Sequence, residues 1–172
     1  DDADNQDGKR PTTITVKLYK KVGDKEKEEV TTQEVKADDQ GKWKYKFDNL
    51  PKYEGGKLIK YSVEEKAVDG YTTTINGTNI ANKYTPEKTS VEGTKTWDDA
   101  NNQDGKRPKE IKIKLLKNGK EIETKTVTEA DGWKWKFENL DKYENGKEIN
   151  YTITEEKVEG YTTEVKGYDV KN

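Results

Sequence analysis

Apolar and polar residues alternate with a period of two along much of this chain, in short runs separated by turn residues. Ile14, Val16 and Leu18 are separated by Thr15 and Lys17, and Ile111, Ile113 and Leu115 by lysines. Trp43, Tyr45 and Phe47, and later Trp133, Trp135 and Phe137, share one side with lysine on the other. Asn118-Gly119 and Asp131-Gly132 are turn signals between such runs. No stretch has a helical period. The pattern predicts an all-β protein of short antiparallel strands, about seven per unit, in two sheets.

Five runs break their own alternation, because strand side chains point to opposite faces in turn. Tyr151 and Ile153 share a face with Glu155, and Tyr61 and Val63 share one with Glu65. Lys95 falls in line with Val91, Gly93 and Trp97; Asn172 follows Tyr168 and Val170; Asn82 lies between Ile80 and Tyr84. One inward polar residue is ordinarily a rim position reaching back to water. A lysine, a glutamate and an asparagine turned inward together are a candidate reactive cluster. Burial favours a neutral amine, which is a nucleophile. A carboxyl beside it can polarise the carboxamide and move protons, and attack at the asparagine Cγ expels ammonia and leaves a Lys–Asn amide. Glu64 and Glu156, on the opposite faces, are expected to be ordinary surface acids.

Composition tempers but does not overturn this reading. Only 28% of the 172 residues are hydrophobic and the mean hydropathy is −1.32, values that border on disorder. The net charge is only −2, however, and ten Tyr and four Trp supply large buried areas. Lysine and arginine (33) nearly balance aspartate and glutamate (35) and are interspersed, so no one-sign stripe suits nucleic acid or an anionic membrane. No apolar run approaches membrane-spanning length, and there is no signal peptide or lipidation motif. The absence of Cys and His removes disulfides, thiolate or imidazole metal sites and the usual general base. No cofactor and no turnover enzyme is expected.

The chain repeats itself. "DDADNQDGKRP" (1–11) returns as "DDANNQDGKRP" (98–108), and "KYEGGK" (52–57) as "KYENGK" (142–147). The first offset is 97 and the second 90, so copy one carries about seven extra residues around "KKVGDKEKEEV", where a hairpin tip tolerates them. With "KYTPEKT" (83–89) as linker, the expected domains are 1–86 and 87–172. In copy one the counterpart of Lys95 would precede residue 1, so its first strand is expected to be truncated and its bond not formed within the sequence given.

The segments "VEGTKTWDD", "NNQDGKRP", "YTITEE…GYTT" and "NIANKYTP" resemble the B-type repeats of Gram-positive collagen adhesins, the Cna-B family, over essentially the whole chain. The resemblance implies two tandem transthyretin-like, or inverse-immunoglobulin, β-sandwiches. It also implies an intramolecular isopeptide bond in which Lys95 is nucleophile, Glu155 catalytic acid and Asn172 electrophile, with Glu65 and Asn82 their equivalents in copy one. It further implies a secreted, cell-wall-anchored stalk. Its partners are neighbouring repeats, an N-terminal ligand-binding region outside this chain and, through the parent protein, host matrix protein.

Alternatives are a direct matrix-binding module or a pilin-like subunit, with Trp133 and Trp135 as a stacking platform, although their spacing suits core packing better. Calcium binding by "DDANNQDGKRP" is disfavoured by Ala100, and by Ala3 in copy one, at the first ligand position. Arg10-Pro11 and Arg107-Pro108 are expected to open strands, and Gly70-Tyr71 and Gly160-Tyr161 to be turns followed by core aromatics.

Overall fold

Most of the alternating runs become strands. The computed structural model describes residues 1–172, which form two units, Asp1–Thr85 and Pro86–Asn172.

In unit 1 the strands are β1 (Ile14–Val22), β2 (Glu28–Val35), β3 (Tyr53–Glu54), β4 (Lys57–Glu65), β5 (Thr72–Asn76) and β6 (Asn79–Lys83). One antiparallel sheet runs β2-β1-β4-β3, and β5 and β6 form a hairpin. The long β1–β2 hairpin turns at residues 23–27 and absorbs the extra residues of copy one. β1 and β4 pair Val16 with Glu65 and Leu18 with Val63. The inner face thus presents Val16, Leu18 and Val63, which with Val35 form a small core flanked by half-buried Trp43, Phe47 and Ile80.

In unit 2 the strands are β7 (Lys88–Thr96), β8 (Glu110–Lys117), β9 (Lys120–Thr128), β10 (Lys134–Asp141), β11 (Tyr143–Glu144), β12 (Lys147–Glu148), β13 (Tyr151–Glu155), β14 (Glu164–Lys166) and β15 (Asp169–Lys171). One sheet runs β10-β7-β15-β14, the other β13-β8-β9. Val91, Trp135, Phe137 and Val170 from the first meet Ile111, Ile113, Leu115, Val127, Tyr151 and Ile153 from the second in one core. Each unit is a thin β-sandwich, and both Trp135 and Phe137 are spent on packing. Asn118 (φ 49°) and Gly119 (φ 85°) make the tight β8–β9 turn, since both central residues of that turn type need positive φ.

Three details depart from the strand pattern. β7 and β15 lie parallel, with Val170 opposite Lys95 and Lys171 opposite Thr96, so unit 2 is not purely antiparallel. Trp133 itself has a left-handed conformation (φ 55°) and follows a 3₁₀ turn (Glu129–Asp131) and Gly132 (φ 65°), so it precedes β10 and does not share its alternation. In unit 1 the matching segment 44–48 is outside any strand, although Trp43 makes an isolated bridge to Ala37. A strand needs a hydrogen-bonded neighbour; β10 has β7, and 44–48 has none.

The close approach of Tyr168, just before β15, to β7 depends on Gly93. A Cβ built there would lie 1.8 Å from the Tyr168 carbonyl oxygen and 2.7 Å from Trp135 Cζ2.

Candidate functional site

The sandwich of unit 2 closes over three polar side chains. Lys95 enters from β7, Asn172 directly follows β15, and Glu155 ends β13 in the opposing sheet. The Lys95 and Glu155 side chains are both wholly buried (0% exposed), and Asn172 is 7% exposed. The parity that set these residues inward is therefore observed. Lys95 Nζ donates to Glu155 Oε2, and Asn172 Nδ2 donates to Glu155 Oε1 at 2.7 Å. One carboxyl group thus spans the amine and the carboxamide. Asn172 Oδ1 is enclosed without a hydrogen-bond partner.

The surroundings hold this arrangement. Asn172 N donates to Thr96 O (3.1 Å) and Asp98 N donates to Asn172 O (2.6 Å), which ties the last residue to the strand that carries Lys95. The Lys95 amine lies 4.5 Å from the centre of the Trp97 ring. Burial lowers its pKa below the ordinary lysine value, and the Glu155 hydrogen bond works in the opposite direction. Thr163 donates to Glu155 Oε1 at 3.1 Å.

Unit 1 brings together the corresponding acid and amide. Asn82 Nδ2 donates to Glu65 Oε2 at 2.9 Å, and Thr73 Oγ1 lies 2.9 Å from Glu65 Oε1 and 2.8 Å from Asn82 Oδ1. Both Glu65 and Asn82 are half-buried. A cavity of about 340 Å³ beside them is lined by Asp1, Ile14, Trp43, Ile80 and others.

The repeated "NQDGKRP" loop has a role that its sequence did not disclose. Arg107 grips Asp99 with two hydrogen bonds (Nε to Oδ2, 3.0 Å; Nη2 to Oδ1, 2.7 Å), and Tyr161 OH donates to Asp99 Oδ2 at 2.9 Å. Asn102 N donates to the same carboxylate (2.9 Å), which fastens a single left-handed turn of Ala100, Asn101 and Asn102. Arg10, Tyr71 and Asn5 hold Asp2 in the same way in unit 1. Arg107 therefore serves an ion pair rather than opening a strand, and β8 begins only at Glu110. Tyr161 is likewise more than a core aromatic.

Trp97 packs edge-on against Trp133 and Tyr161, with centroids 5.2 and 5.1 Å away, and Arg107 Cζ is 5.4 Å from its ring. The clamp thus braces the indole that roofs Lys95. As for calcium, the Asp99 carboxylate is committed to these donors, and no group of three or more carboxylates is gathered to hold a metal.

The arginines hold both aspartates well below the usual carboxylate range, and Tyr71 is pushed up to about 12, first by burial and then by the Asp2 carboxylate. A carboxyl whose pKa is depressed on folding contributes stability that is fully present above its unfolded value, about 3.9, and is lost as pH falls through the folded one. The thermal midpoint is therefore expected to fall steeply below about pH 4. In an Asp2→Asn, Asp99→Asn double variant, the midpoint should start lower at neutral pH and decline less steeply. Equal slopes in a pH series of melting curves would remove the clamps from the acid response.

Comparison with known proteins shows the family. The family model for the Cna protein B-type domain matches residues 1–83 and again 91–172. The chain belongs to that family. The Cna B-type chain is 48% identical over 174 residues to a collagen adhesin of Staphylococcus aureus, covering 100% of itself and 14% of that protein. It thus spans about one seventh of the relative's length. Among solved structures, two B repeat units of the collagen binding protein of S. aureus match all of the Cna B-type chain at 42% identity with a TM-score of 0.82, over 46% of the solved chain. A single B repeat unit of the same protein matches at 46% identity with a TM-score of 0.48, over 99% of this chain and 91% of that one. Two tandem inverse-immunoglobulin sandwiches are the fold of the Cna B-type pair.

Proposed function

We propose that the two domains are structural modules in the stalk of a bacterial cell-surface adhesin, and that unit 2 is closed by a self-formed isopeptide bond between Lys95 and Asn172. The observation that carries this reading is the Glu155 carboxyl, buried and in hydrogen-bond contact with both the amine and the carboxamide. The chemistry balances without a cofactor. The Lys95 ammonium passes a proton to Glu155, and the freed amine attacks Asn172 Cγ. Glu155 then hands a proton to Nδ2 and takes one from Nζ, and ammonia leaves as the C=O re-forms. Burial, which favours the neutral amine, provides the nucleophile. Glu65 and Asn82 are the acid and electrophile of unit 1.

The bond suits a stalk because of where it sits. Lys95 is next to last in β7, and Asn172 follows β15, the parallel neighbour of β7. Tension applied between Pro86 and Asn172 would run along β7 to Lys95, cross the new amide and leave at Asn172. Residues 96–171 would carry no load. Such a module extends reach without disulfides, as a surface protein with no cysteine requires. The module performs one self-directed reaction and then has no turnover.

Intact-mass measurement of the folded chain tests the proposal. The expected mass is one ammonia below that of the sequence, with a peptide map joining the segments that contain Lys95 and Asn172. A chain at full mass would overturn it. Solid-phase binding of the pair to collagen and other matrix proteins should be negligible; saturable binding would favour direct adhesion.

A further inference from the structure

We propose that Thr163 is a catalytic residue of the cross-linking reaction, the donor that stabilises negative charge on the amide oxygen of Asn172. The proposal rests on the isopeptide reading above. When Nζ bonds to Cγ, the C=O pair moves onto Oδ1, and that atom is enclosed with no partner. An oxyanion formed there without a donor is costly, and a placed donor is commonly the largest single contribution to such a step. Glu155 does not occupy that position. Its Oε1 accepts from Nδ2 and its Oε2 from Lys95, which suits it to deliver a proton to the departing nitrogen. Its two oxygens are turned to the two nitrogens.

The first copy shows which group can serve the oxygen. In unit 1, Thr73 Oγ1 lies 2.9 Å from Glu65 Oε1 and 2.8 Å from Asn82 Oδ1. A hydroxyl has one proton and gives it to one acceptor at a time, so this group stands between acid and amide oxygen and can serve either. Thr163 occupies the same place in unit 2, eight residues after the acid, and there donates to Glu155 Oε1 at 3.1 Å. In the resting structure Thr163 makes no hydrogen bond to Oδ1; in the proposed step its side chain turns as Cγ becomes tetrahedral and takes up the contact that Thr73 makes in unit 1. Thr163 keeps its proton throughout. The pair on Oδ1 returns to Cγ as the Cγ–Nδ2 bond breaks, and ammonia carries away the proton supplied by Glu155.

The test follows bond formation in the full chain. Protein recovered unfolded in urea is refolded by dilution, and loss of ammonia is timed by intact mass. Thr163→Val keeps the side-chain shape but lacks the hydroxyl, and is expected to react at least about tenfold more slowly, short of the ~10²–10³-fold cost of losing a fully enclosed donor because Thr163 lies near solvent. Thr163→Ser should restore the rate. In a Lys95→Met background, which cannot react, Thr163→Val should leave the thermal midpoint unchanged; a substantial drop there, like a Ser variant as slow as the Val variant, would assign Thr163 to packing and overturn the proposal. A Val variant that reacts at the wild-type rate overturns it too, with the isopeptide reading intact. A wild-type chain that never loses ammonia removes that reading and, with it, any step for Thr163 to serve.

Discussion

A Glu155→Ala chain is expected to retain its ammonia and to unfold at a much lower temperature than the wild type. The alanine removes the acceptor that takes the proton from Lys95 and the donor that returns one to the leaving nitrogen, so the amine stays bound to its proton and Asn172 stays an amide. Two losses then combine. Without the link, the denatured chain between residues 95 and 172 regains its loop entropy, about 4–5 kcal/mol for a loop of this length. Lys95, wholly buried, also keeps a charge with no partner, and breaking a buried pair on one side costs about 3–5 kcal/mol.

Lys95→Met separates the two effects, because it removes the bond and the charge while preserving the packing under Trp97. With about 4–8 °C per kcal/mol for a domain of this size, the Met variant should melt roughly 16–40 °C below the wild type. Glu155→Ala should melt lower still. Calorimetry together with intact mass decides the matter. A Glu155→Ala protein that lost ammonia at the normal rate would show that the carboxyl has no part in the reaction. A Met variant as stable as the wild type would show that no covalent closure was present to lose.

The buried polar cluster was legible in the sequence because its residues violate a strict pattern. In strands, inward and outward positions differ by one residue, so Lys95, Glu155 and Asn172 each identified themselves against apolar neighbours such as Val91, Ile153 and Val170, and all three are buried. The same parity marked Glu65 and Asn82. What stayed hidden depends on meetings between distant segments. Nothing local to "GYTT" shows that Thr163 faces Glu155, although a threonine eight residues beyond the acid in both copies was a usable signal. Asp99, Arg107 and Tyr161 are polar or turn-associated residues whose neutral local reading is a loop, and their clamp appears only when residue 161 folds beside residue 99. The parallel β7–β15 pairing was also beyond reach, because alternation reports which face a residue takes and says nothing of strand direction. Trp133 misled for a different reason: Gly132 and the 3₁₀ turn before it put a bend inside a run that reads as one strand.

Gly93→Ala, a change of one methyl group, is expected to disrupt unit 2 nearly as severely as the loss of the acid. The new carbon would stand 1.8 Å from the Tyr168 carbonyl oxygen and 2.8 Å from its carbon, and both are main-chain atoms that cannot rotate aside. The remaining close neighbour, Trp135, is buried in the core. Relief therefore requires β15 to lift from β7, which weakens the Val170–Lys95 pairing and withdraws Asn172 from Glu155. Overpacking of this kind costs about 3 kcal/mol or more, and a displacement near 1 Å at a reacting centre can cost about 10²-fold in rate. The variant should thus be less stable in urea and slow to lose ammonia. Gly105→Ala is the control: no atom lies within 4 Å of its Cβ, and the cost is confined to holding alanine at φ +64°, about 1–2 kcal/mol. If Gly93→Ala cross-links and unfolds as the wild type does while Gly105→Ala is the weaker protein, then backbone conformation rather than the close approach of Tyr168 governs this sandwich, and the segment leading into β15 does not lie against Gly93.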